Sequence, residues 1–157
     1  MLRKLSVGLI LALVFSAAVS EAAAQERTVI RDRKAAAMLL GKHKMSLQWI
    51  SWDYFGTAAV TNSRGLYRIK GEQKGRGAEK GAYVMIDGVI RSISAREFVF
   101  DGRIETQVSH INNGDPCVRE GEMTFAITGK RKYWRLQQMQ NPCDAVTDYV
   151  DIFFRGA

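Results

Sequence analysis

Residues 97–108, EFVFDGRIETQV, alternate almost strictly between two faces. Phe98, Phe100, Gly102, Ile104, Thr106 and Val108 share one face; Glu97, Val99, Asp101, Arg103, Glu105 and Gln107 share the other. A period of two means a strand with one side buried and the other in water. This one is longer than the usual strand, which suits a barrel or a strongly coiled sheet.

Residues 84–93 repeat the pattern: Ile86-Asp87-Gly88-Val89-Ile90 echoes Phe100-Asp101-Gly102-Arg103-Ile104. With Ser94–Arg96 as the hairpin loop, Ile86 faces Ile104, Gly88 faces Gly102, Ile90 faces Phe100, and Asp87 meets Arg103 on the outside. Two opposed inward glycines allow a sharp bend, as at a barrel corner, or leave a notch for a ligand; the bend is the expectation. The loop has no glycine to set its turn type, so a one-residue slip stays open.

The same period extends in both directions. Met45–Trp52, Gly56–Thr61 and Leu66–Gly71 read as strands, with a turn at Asn62–Gly65. Glu122–Thr128, Lys132–Gln138 and Asp148–Phe154 follow, with a hairpin at Thr128–Arg131 and a turn at Asn112–Pro116. The fold class is mainly β: a small antiparallel barrel of eight to ten strands, lipocalin-like or similar, with one short N-terminal helix. A β-sandwich is the alternative. The glycine-rich stretch 74–81 lacks the spacing and the ending of a phosphate loop and reads as a solvated loop.

The organisation is a signal, a lead-in and one domain. Arg3 and Lys4 precede about fifteen mostly apolar residues, Leu5–Val19, and Ala22–Ala24 offer a cleavage site before Gln25. That is a cleavable signal peptide over residues 1–24; a membrane anchor needs a run of about 20 apolar residues. Neither cysteine lies near the cleavage point, so lipid attachment at a new N-terminal cysteine is excluded, and no later run is long enough to span a membrane. Residues 25–44 form a basic helical lead-in, with the helix over 28–40: Thr28 caps it, Gly41 ends it, and Val29, Ile30, Arg33, Ala37 and Leu40 share one face. It can pack on the domain, plug a barrel end or lie on a membrane surface; packing is the expectation. Residues 45–157 are the antiparallel β domain.

Removing Arg3, Lys4 and Glu21 takes the formal charge from +7 to +6. The cations cluster in residues 26–44 (Arg27, Arg31, Arg33, Lys34, Lys42, Lys44) and 64–80. An exported chain meets lipid head groups, polysaccharide and other proteins, so nucleic acid is not expected. The expected location is periplasmic or secreted, and the partners an anionic envelope lipid or polysaccharide, or a periplasmic protein. In an oxidising compartment Cys117 and Cys143, both in Pro-containing turns, form a disulfide.

Two groups of residues are candidates for ligand binding. Trp49, Trp52 and Tyr54 can line a barrel mouth, and Arg131, Tyr133 and Trp134 mix cations with aromatic rings. Each has a plainer reading, core filling for the first and a basic hairpin with a core Trp134 for the second. His43, between Lys42 and Lys44, reads as exposed, and His110 ends a strand. No nucleophile elbow, zinc helix or dinucleotide fingerprint occurs, so no catalytic residue, metal or cofactor is assigned and a non-enzymatic role is expected. The expectation is an exported binding protein for an anionic or amphipathic ligand. The alternatives are an interaction or inhibitor module and a hydrolase with a non-local site.

Overall fold

The computed structural model describes residues 26–157, so the expected signal segment 1–24 lies outside the described residues. Strand β1 (Val29–Ile30) and helix α1 (Arg33–Leu39) lead into β2 (Gly41–Leu47), β3 (Gly56–Ser63), β4 (Leu66–Lys74) and β5 (Tyr83–Ile93). The long β6 (Glu97–Gln107), then β7 (Cys117–Ala126), β8 (Tyr133–Leu136) and β9 (Val150–Phe153) complete the chain. From β2 onward each strand pairs antiparallel with the next, and β9 returns to β2 through Met45–Ile152 and Leu47–Val150. The result is a closed eight-stranded antiparallel barrel, with β1 added in parallel to the end of β5. Closure is thinnest between β7 and β8, which pair only through Phe125–Leu136 and Ala126–Arg135, so most of β7 has no strand partner on that side.

The central hairpin has the expected register: Ile86–Ile104, Gly88–Gly102, Ile90–Phe100 and Asp87–Arg103. Beyond Ile90 the register shifts by one, to Ser92–Val99 and Ile93–Phe98. The bulge lets Ile90 and Ile93, three residues apart, both point inward, where they are 0% and 1% exposed. The space beside the paired glycines is filled: a Cβ on Gly88 would stand 2.5 Å from Phe100 Cε2, and one on Gly102 2.7 Å from Phe100 Cζ. The bend therefore holds a ring instead of a ligand notch. Around it Phe98 stacks on Phe125 at 5.0 Å, and Leu47, Ile69, Ile86 and Ile104 complete a fully buried axis.

One end of the barrel is capped by α1, whose Ala35, Ala36 and Leu39 are buried. The helix is shorter than expected and presents a different face. It starts at Arg33, with Asp32 accepting from Ala35 N at 2.7 Å. Thr28 is not its cap, because the Thr28 hydroxyl donates to Ile90 O and accepts from Tyr67 N within the barrel. Val29 and Ile30 are in β1 and exposed. His43, expected at the surface, is 3% exposed. It lies on the inward face of β2, with Nε2 2.8 Å from Leu39 O and Nδ1 2.8 Å from Phe153 O. Both partners are acceptors, so the ring bonds both only when it carries both protons.

The other end is closed by the long 137–149 loop, held down by the Cys117–Cys143 disulfide. Asn141 Oδ1 accepts from Cys143 N and Asp144 N, and Asp144 accepts from Asn112 N and Ala145 N. These backbone donors, from Asn112 first, hold the Asp144 carboxyl below its ordinary range. With a sequence separation of 26, loss of the disulfide is expected to cost roughly 3–4 kcal/mol on the chain-entropy model. Thermal melts of wild type and Cys117→Ser/Cys143→Ser check this, and superimposable melts would rule the bond out as a support for the fold.

Candidate functional site: the cationic end of the barrel

In an up-and-down meander, alternate loops emerge at the same end. The loops at the α1 end are the lead-in, the β3–β4 turn, the β5–β6 turn and the β7–β8 loop. They carry Arg27, Arg31, Arg33 and Lys34, then Arg64, Arg96 and Lys130-Arg131-Lys132, all exposed. The segments fit together through their backbones: Thr28 N donates to Gly65 O, Arg31 N to Ile93 O, and Ile127 N to Arg96 O. The Arg96 guanidinium adds hydrogen bonds to Ile127 O and Gly129 O, and Arg131 bonds Thr128 Oγ1. These contacts position the cations without neutralising them.

The ion pairs involve other cations. Arg68 and Lys70 meet Asp87, Lys74 meets Glu72, Arg91 meets Glu26 and Asp101, and Arg103 meets Glu105 and Glu120. Arg119 pairs with Asp148 and Arg135 with Asp151. Among the described residues, none of these nine loop cations forms a salt bridge, although Arg91, near the end of β5, pairs with Glu26 of the lead-in. Three carboxylates lie at this end: Glu26 pairs with Arg91, Asp32 accepts from the helix N-terminus, and exposed Glu97, next to Arg96, forms no salt bridge among the described residues. Nine exposed cations against three carboxylates favour the arrival of an anion.

The barrel wall gives the contrast. A concavity of about 500 Å³ on the outer surface is lined by Lys70, Met85, Asp87, Arg103 and Glu105, among others. Its charges are mutually paired: Glu105 accepts from the Tyr83 hydroxyl and from Arg103, and the Tyr83 phenol is pushed up to about 12, chiefly by burial. That surface has little net charge left to offer.

The sequence-predicted candidates do not converge. Trp49, Trp52 and Tyr54 lie between β2 and β3, at the disulfide end. Trp49 packs against the core and donates Nε1–H to Asp148 Oδ1 at 2.9 Å. Tyr54 also packs on the core, beneath the Arg76 guanidinium, and Trp52 is 52% exposed. The mouth these residues were expected to line is closed by Ile50, Ala82, Val108 and Ile111. Trp134 points inward, 2% exposed, against Phe154 and His43, so it is core. Tyr133 faces outward next to the cationic loop, with Arg131 at 5.7 Å and Arg135 at 5.1 Å from its ring.

Two features were not found from sequence. One is Arg96, which joins the cationic end only because its turn folds beside the β7–β8 loop. The other is the buried network at the disulfide end, where Asp148 accepts from Arg119, Asn141 and Trp49. His110 lies edge-on to Trp49 at 5.8 Å, and neither histidine hydrogen-bonds a carboxylate among the described residues.

Residues 27–154 match the PM1083 family. The chain is 51% identical over 116 residues to the uncharacterized protein PM1083 of Pasteurella multocida (strain Pm70), covering 74% of this chain and 73% of that one. No solved structure matches. On the extent of the family match and this identity, the chain belongs to the PM1083 family.

Proposed function

We propose that the protein is exported to the cell envelope and there binds an anionic or amphipathic ligand, without catalysis, through the α1 end of the barrel. The observation that carries the reading is the set of nine exposed cations at that end, none of which forms a salt bridge among the described residues. The signal-like N-terminus supports export, and the disulfide fits an oxidising compartment. The β7–β8 loop with Tyr133 beside it adds a ring surface next to the charge. In the enzymatic alternative a base must meet a carboxylate, whereas Asp148 is engaged by Arg119, Asn141 and Trp49. The strand-edge version of an interaction module needs an open edge, and ring closure leaves one only along β7, where Phe125 and Ala126 alone pair with β8.

Expression of the full chain tests both parts. An intact mass starting at Gln25 is expected; a mature product that still starts at Met1 would overturn export. The purified protein should bind labelled dextran sulfate and not neutral dextran, with affinity falling about tenfold or more between low and moderate salt. Lys130→Glu/Arg131→Glu/Lys132→Glu should weaken binding by about tenfold while leaving the melting temperature nearly unchanged, because all three residues are exposed. Equal affinity for neutral dextran, or no response to charge reversal, would sink the proposal.

A further inference from the structure

The cationic end also carries an apolar feature. Val29 and Ile30 are 54% and 38% exposed, two of the few large hydrophobic side chains on the surface. Isolated exposed apolar residues are ordinary. These two are adjacent, lie between Arg27 and Arg31, and are held in an extended strand by pairing with Ser92 and Ile93. The strand is anchored by the Thr28 hydroxyl, which is bound on both sides inside the barrel. Successive residues of a strand point to opposite sides, so the two apolar side chains project from the two faces of this rim strand, flanked in sequence by Arg27 and Arg31, neither of which forms a salt bridge among the described residues.

A soluble polyanion would use the cations and gain nothing from Val29 and Ile30. A bilayer with anionic head groups uses both, since phosphates meet the cations while the apolar side chains enter the boundary below them. The position of the N-terminus agrees. The described chain begins at Glu26 on this same end, and the apolar run Leu5–Val19 precedes it in sequence. A precursor held in a membrane by that run presents this end to the bilayer first.

We infer that the α1 end is a docking surface for an anionic phospholipid bilayer, with Val29 and Ile30 as the inserted residues and the surrounding arginines and lysines as phosphate contacts. The inference rests on the anion-binding reading above and specifies its ligand. The test is co-sedimentation of the processed protein with phosphatidylcholine vesicles and with phosphatidylcholine–phosphatidylglycerol vesicles, beside the dextran sulfate titration. Binding should be confined to the anionic vesicles. Val29→Ser/Ile30→Ser should reduce vesicle partitioning about fivefold or more and leave the dextran sulfate affinity unchanged. Both positions are exposed, so the variant should keep the wild-type melt. Three outcomes would overturn the inference. If dextran sulfate binds and anionic vesicles do not, the ligand is a soluble anionic polymer and the proposed function stands. If the serine variant partitions like wild type, insertion is wrong. If neither probe binds, the proposed function fails and takes the inference with it.

Discussion

Arg119→Met is expected to lower the stability of the protein by about 3–5 kcal/mol, because it leaves a buried carboxylate without its counter-charge. Arg119 is on the inward face of β7, with its side chain 6% exposed, and the Asp148 side chain is 1% exposed. Arg119 Nη2 reaches Asp148 Oδ2 at 2.8 Å and Gln140 O at 3.1 Å. It thereby ties the 137–149 loop to the disulfide-end part of β7, a stretch that lies away from the two β7–β8 pairs, Phe125–Leu136 and Ala126–Arg135. In the variant Asp148 keeps the Asn141 and Trp49 donors, which are neutral. The cost should appear as a fall of roughly 10–20 °C in Tm for a domain of this size. The double variant Arg119→Met/Asp148→Leu removes both charges and should regain more than half of that loss. A single variant within about 1 kcal/mol of wild type would show that the disulfide alone holds this end shut. Arg119 Nη1 is buried without a partner among the described residues, so the network around Asp148 leaves one donor unsatisfied there.

What could be read from sequence divides along a physical line. The β5–β6 hairpin was legible because both strands alternate strictly and the two glycines match only in one register. Even its bulge has a trace, since Ile90 and Ile93 cannot both face inward at a period of two. The lead-in was misread for a long-range reason. Thr28 looks like a helix cap locally, but its hydroxyl is used by β4 and β5, and the β-branched pair Val29-Ile30 is left extended. The sequence does not show that Asp148 and Asp151 are buried. Their partners Arg119 and Arg135 are 29 and 16 residues away and meet them only once the ring has closed. The cationic end was present in the sequence as separate basic clusters. Knowing that they share one end requires the strand order, since alternate loops of a meander return to the same side. By the same rule Trp49, Trp52 and Tyr54 sit in a loop of the opposite parity, apart from the cationic end.

Gly102→Ala is expected to cost at least about 4 kcal/mol, or to give no folded protein, although it adds a single methyl group to a mainly apolar site. On Gly102 the new Cβ would lie 2.6 Å from Gly88 Cα and 2.7 Å from Phe100 Cζ, with the Asp87 carbonyl oxygen closer still. Gly88 faces the mirror problem, 2.7 Å from Gly102 Cα. Both crowding partners include backbone of the facing strand, which cannot rotate away as a side-chain end can. Relief would require β5 and β6 to separate at the middle of the longest hairpin in the barrel, where Gly102 also pairs with Gly121 of β7. The close approach of the strands and the inward tilt of Phe100 depend on the same absence of side chains, so the bend and the filled axis are one feature. The second variant Gly102→Ala/Phe100→Ala separates the two sources of crowding. If the ring were the obstacle, removing it would rescue the fold; since backbone is nearer, the double variant should be less stable than the single one, having lost a fully buried ring as well. Soluble yield and thermal melts decide this: a Gly102→Ala protein melting within a few degrees of wild type would mean that the strands are not pressed together at that point.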